Sequence, residues 1–192
     1  DSRFIISTSK DMTAKIWSID SDEKDLASMT FAGHKDYVMG AFFSSDQENI
    51  YTVSKDGALF VWEYSAKPSE TEEDEDEEED IDMSKYSWRI AKKHFFFMGQ
   101  AKVKCVTFHS QSNMLVVGFT NGEFRLYELP EFIMIQQLSM GQNPINTVTV
   151  NQSGEWLAFG SSKLRQLLVY EWQSESYILK QQGHFDATNS LT

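Results

Sequence analysis

The chain has 192 residues, 41% of them hydrophobic, one cysteine and a formal net charge of −12. That composition can bury a sizeable core in one or two domains. A lone cysteine, Cys105, excludes an intrachain disulfide and fits a reducing compartment; no apolar run approaches the roughly 20 residues of a membrane helix, and no basic excess points to nucleic acid. The acidity is local. Glu70, Glu72, Glu73, Asp74, Glu75, Asp76, Glu77, Glu78, Glu79, Asp80 and Asp82 supply eleven carboxylates, and the rest of the chain has 18 acids against 17 bases.

In chain order, the first element is a strand pair, Phe4 to Trp17, whose turn holds Asp11-Met12. A third strand is expected over Leu26–Phe31. The next unit opens with alternating apolar residues from Tyr37 to Phe43, continues through the run Ile50–Val53 and returns to Trp62 after an Asp56-Gly57 turn. Alternation at period two, rich in Val, Ile and Phe, argues for half-buried strands. Asp-Gly and Asn-Gly tolerate positive φ, as two-residue hairpin turns require. The acidic run follows, with one aliphatic residue, Ile81, and no aromatic. Its charges repel and it offers little apolar area, so disorder is expected over about 66–84.

The outer strand of that unit is expected over Tyr86–Phe97. A third unit has Val103–Phe108, Met114–Val117, the turn Asn121-Gly122, Tyr127 and Phe132–Leu138. A fourth spans Trp156 to Trp172, with Tyr170 and Trp172 competing for one position, and ends in Tyr177–Leu179. The turns at Asp11-Met12 and at Lys163–Gln166 are expected to be longer or differently shaped. His94, after Lys92-Lys93 on an outer strand, is expected to be solvated, and Cys105 to be a core residue. No convincing helix is visible.

Trp17 and Trp62 are 45 residues apart, as are Tyr127 and Trp172; the middle gap of 65 contains the acidic insert. A period near 45 with four short strands per unit is the signature of a WD-repeat β-propeller, all-β in class. The boundaries are a partial blade over 1–32, blades over 33–98, 99–140 and 141–182, and the start of another over 183–192. The chain lacks an initiator Met and stops where a new strand is due, so about four blades of a longer protein are expected.

With the four strands of each unit called a to d in chain order, resemblance to WD repeats implies a structural network in which a histidine in the d–a loop bonds the Asp of the b–c turn and a Ser and a Trp complete the set. In the second unit these are His34, Ser54, Asp56 and Trp62; in the first, Ser9, Asp11 and Trp17 remain; His184 opens the next. The third unit has Gln100, Phe119, Asn121 and Tyr127 instead. No catalytic residue, metal site or cofactor is expected. The acidic run reads as a solvated insertion, or as a tether for basic protein segments or a fence against misplaced RNA.

A closer likeness rests on Asn151-Gln-Ser-Gly-Glu-Trp-Leu-Ala-Phe-Gly160, on Gln166 through Phe185, on Tyr127-Glu-Leu-Pro-Glu-Phe132 and on Phe4 through Trp17. Over essentially all its length the chain resembles the periodic tryptophan protein 2 family in its fungal form. That resemblance implies blades in the N-terminal of two tandem propellers, in a nucleolar protein of the U three protein B subcomplex of the small-subunit processome. It implies a non-catalytic scaffold for pre-18S rRNA processing, beside other WD-repeat processome proteins, pre-ribosomal RNA and U3 snoRNA. No small-molecule substrate or membrane partner is expected. The alternative is a substrate receptor of a ubiquitin ligase or another interaction adaptor. An enzyme would need acid, base or metal ligands around the central channel, where the inward strands offer mainly Val, Phe, Thr and Ala.

Overall fold

A computed structural model describes residues 3–19, 29–66, 86–161, 165–182, 188, 190 and 191. The acidic run and His184 lie outside the described residues. Among the described residues, fifteen strands form four antiparallel sheets. The first sheet comprises β1 (Phe4–Thr8), β2 (Ala14–Ser18) and β3 (Met29–Phe31). The second comprises β4 (Val38–Phe43), β5 (Asn49–Ser54), β6 (Ala58–Ala66) and β7 (Tyr86–Phe95). The third comprises β8 (Val103–His109), β9 (Met114–Phe119), β10 (Glu123–Glu128) and β11 (Ile133–Ser139); the fourth, β12 (Thr147–Val150), β13 (Trp156–Ser161), β14 (Gln166–Glu171) and β15 (Ser176–Gln182). Each four-stranded sheet is a meander, with neighbours in sequence paired in space. Among the described residues the helical content is one 3-10 turn, Ser110–Ser112. These meanders are β-propeller blades, as the repeat pattern predicts. Strand β6 runs past Trp62 to Ala66.

The units share one register. Ile5 faces Trp17, Ile50 faces Trp62, Leu115 faces Tyr127 and Leu157 faces Tyr170. The c–d pairing shifts by a bulge immediately before this residue in the second, third and fourth sheets, at Val61/Trp62, Leu126/Tyr127 and Val169/Tyr170. Bulges add local twist and re-aim a side chain. Tyr170 therefore takes the position that Trp172 competed for. Trp172 instead donates its indole N–H to the Gly154 carbonyl, 2.7 Å away.

Burial follows the interfaces between sheets. One apolar cluster joins Ile16 and Phe31 of the first sheet to Ile50, Phe60 and Trp62 of the second. Another joins Tyr51, Leu59 and Val61 to Leu115, Phe119 and Tyr127. A third joins Met114, Val116 and Phe124 to Leu157, Phe159 and Tyr170. The second and third sheets thus have both faces occupied by neighbours, which explains the near-continuous apolar runs of β5 and β9.

Gly57 (φ +88°) and Gly122 (φ +82°) hold the left-handed position of their b–c turns. Met12 (φ +71°) occupies the same place in the first sheet, so that turn has the ordinary shape rather than a longer one. Its Asp11 carboxylate accepts the Thr13 N–H at 3.0 Å, as Asn121 accepts the Glu123 N–H at 3.2 Å. A side-chain oxygen closing on the backbone two residues ahead lets a non-glycine residue sit there.

Candidate functional site

The most concentrated buried polar group lies in the second blade. His34 enters from the loop before β4 and stacks on Phe60, with ring centroids 4.1 Å apart and an interplanar angle of 9°. Its Nε2 lies 2.7 Å from Thr52 Oγ1. The same hydroxyl accepts the Trp62 indole N–H at 2.8 Å. An indole only donates, so Thr52 accepts from Trp62. The other imidazole nitrogen, Nδ1, is buried without a hydrogen-bond partner.

The hydroxyl linking His34 to Trp62 is therefore that of Thr52, not Ser54. Ser54 donates to the Asp56 carboxylate, which also accepts the Ala58 N–H at 3.4 Å. Asp56 braces the turn rather than bonding the imidazole, though its charge favours protonated His34. Burial outweighs it and pushes the His34 pKa from the ordinary 6.5 down to about 4. The imidazole is neutral at pH 7, a structural group.

The first blade has the same Trp-to-hydroxyl bond: Trp17 donates to Ser7 at 2.9 Å. The residue two positions upstream of the predicted Ser9 again carries it. Ser9 accepts the Asp11 N–H at 3.2 Å. Hydrogen bonds from Thr13 hold the Asp11 carboxyl below its ordinary range. Trp17 is 45% exposed, against 5% for Trp62.

By register, Ser7 and Thr52 correspond to Val117 and Phe159, so the third and fourth blades lack the hydroxyl. The third blade uses different chemistry. Arg125, which aligns with Phe60, is buried and donates to the Phe97 carbonyl at 2.6 Å. Its guanidinium pairs with Glu123 at 3.3 Å and lies 4.9 Å from the Phe119 ring centroid. Gln137 donates to the other side of the pair, at Glu123. Gln100, the expected stand-in for histidine, is exposed. Sequence reading missed Arg125; its place two residues before Tyr127, in an otherwise apolar run, was the available signal.

His94 is not solvated as expected. It stacks on Phe132 with centroids 4.5 Å apart, and burial and Lys92 lower its pKa. Phe132 in turn stacks on Tyr127 at 4.7 Å. The Cys105 thiol contacts the Ile145 carbonyl at 3.3 Å, and burial pushes it up to about 12, leaving it unreactive. Among the described residues no group of His, Cys, Asp and Glu is placed to hold a metal ion.

The family described as WD domain, G-beta repeat matches residues 1–18 and 27–63. These stretches cover the two units that retain the Trp-to-hydroxyl bond. The chain is 75% identical to periodic tryptophan protein 2 of Saccharomyces cerevisiae across its whole length. It is 59% identical to the Neurospora crassa homolog and 53% identical to that of Schizosaccharomyces pombe, again across the whole chain. The chain belongs to the periodic tryptophan protein 2 family. It spans about a fifth of these relatives: 21%, 20% and 22% of their lengths respectively.

Proposed function

We propose that this member of the periodic tryptophan protein 2 family serves as a non-catalytic scaffold in ribosome biogenesis. In this reading it works in the nucleolus, within the U three protein B subcomplex of the small-subunit processome. It supports pre-18S rRNA processing beside U3 snoRNA and other WD-repeat processome proteins. The observation that carries the proposal is the identity to periodic tryptophan protein 2 along the entire chain, since resemblance to that family implies the ribosomal role.

The site chemistry supports a scaffold. His34 Nε2, the Thr52 hydroxyl and the Trp62 indole N–H bond one another inside a packed blade, and the Arg125 guanidinium bonds a neighbouring loop and Glu123. These contacts make rigid blades whose loops and outer strands remain available to several partners. Depletion of the full-length protein should reduce 18S rRNA maturation, and its purification should recover U3 snoRNA with other WD-repeat proteins. Unimpaired 18S maturation would defeat the proposal. Recovery of a ubiquitin-ligase adaptor alone would favour the receptor reading.

A further inference from the structure

The b–c turns of the first two blades meet the loops that enter β4 and β8 along one face. Three backbone bonds stitch them into an arc: Val38 N–H to Ser9 O at 3.2 Å, Lys55 N–H to Tyr37 O at 2.8 Å, and Val103 N–H to Lys55 O at 3.1 Å. Lys10, Lys35, Lys55 and Lys102 belong to these turns and loops. Among the described residues none of the four has a carboxylate partner. Tyr37 lies in their midst, 40% exposed, with Lys10 Nζ 6.0 Å and Lys55 Nζ 5.1 Å from its ring centroid.

An aspartate follows each of the first three lysines, but all three carboxylates are engaged locally. Asp11 accepts from the N–H and hydroxyl of Thr13, Asp36 accepts the Tyr37 N–H at 2.8 Å, and Asp56 accepts from Ser54 and Ala58. The ammonium groups are left without such bonds, so the arc presents spaced positive charges around an exposed ring. The turns would form as well with other residues beside the aspartates, so turn geometry does not account for the lysines.

We propose that this arc docks an acidic segment of a protein partner, whose carboxylates meet Lys10, Lys55 and Lys102 while an apolar side chain packs on Tyr37. The proposal rests on the scaffold reading and names one of its contacts. The charge mosaic favours a polypeptide over a nucleic-acid strand. A strand carries a negative charge at every nucleotide and would meet the interleaved aspartates as well as the lysines. A polypeptide can space its carboxylates to match the lysines and stay neutral opposite the aspartates. Lysine with an accessible aromatic face also suits a mixed apolar and acidic ligand.

The test is photocrosslinking in living cells, with Tyr37→benzoylphenylalanine in the full-length protein and the adduct sequenced by mass spectrometry. The expected adduct is a polypeptide segment of net negative charge. Its yield should fall about tenfold when Lys10→Glu and Lys55→Glu are combined, since two charge reversals turn attraction into repulsion. A ribonuclease-sensitive adduct, an adduct on a neutral or basic segment, or a yield indifferent to the lysines would overturn the proposal. So would the lack of any adduct. Co-purification of U3 snoRNA and WD-repeat proteins is read from the same cells: its retention without the adduct sinks the arc alone, and its loss in unmodified cells sinks the scaffold reading.

Discussion

The second and third blades have the same backbone and solve the same problem differently. Both place a large aromatic residue on strand c, opposite an aliphatic residue on strand b and just after a bulge. The second blade anchors its aromatic with a hydrogen bond, through Thr52 to His34. The third has Val117 in place of Thr52 and stacks Tyr127 on Phe132, with Phe96 tilted against both rings. It fastens its incoming loop with Arg125 instead of a histidine. Register and bulge therefore define the blade, while the polar network is one of several ways to hold the entering loop.

The largest contrast should come from the anchors themselves. Trp62→Ala removes a ring that is 5% exposed and packed edge-on against Phe31 at 5.0 Å, and it should cost about 3–5 kcal/mol in urea unfolding. Tyr127→Phe keeps the stacked ring and should cost less than about 1 kcal/mol. Equal losses would mean that the third blade depends on its hydroxyl as much as the second does on its ring.

Exchanging the residues at the relay position sharpens the comparison. Thr52→Val strands the Trp62 N–H and His34 Nε2 together and should cost about 1–3 kcal/mol. The reverse exchange, Val117→Thr, brings a hydroxyl into a dry site with no partner and should destabilise by a similar amount. A neutral Thr52→Val would show that the network contributes nothing to the second blade.

Arg125→Met tests the third blade's substitute for the histidine. It leaves the Phe97 carbonyl without its donor and Glu123 with only Gln137 and Asn121, and a loss of about 1–2 kcal/mol is expected. Hydrogen exchange at Phe96–Ala101 should quicken before the rest of the sheet. Unchanged exchange there would show that Arg125 does not hold the loop.

The smallest effect near neutral pH is that of His34 ionisation. Its pKa is depressed in the folded state, so below the ordinary 6.5 the unfolded chain takes up a proton that the folded chain refuses. Stability present above pH 6.5 should therefore decline as the pH falls toward about 4. His94 is also depressed and adds in the same direction. The urea midpoint should drop between pH 7 and 5, and His34→Phe should flatten that slope. The same slope in the variant would assign the titration to other groups.

Sequence alone determined the elements and their repetition. Alternation marked the strands, Asp-Gly and Asn-Gly marked two of the tight turns, and the spacing of the aromatic residues marked the units. These are local signals, because side-chain period and turn conformation depend on a few neighbouring residues. Tertiary structure decided which groups meet. Thr52 and Ser54 share one face of β5, two residues apart, and both are plausible partners by type. Pairing of Thr52 with Phe60, together with the bulge before Trp62, brings the indole and the imidazole to Thr52 and leaves Ser54 at the turn. The same register placed Tyr170 rather than Trp172 in the core. Met12 adopts a glycine-like conformation because Asp11 closes the turn around it. Register and bulges depend on pairing across the whole sheet, and for that reason the strand pattern could be read in advance while the hydrogen bonds could not.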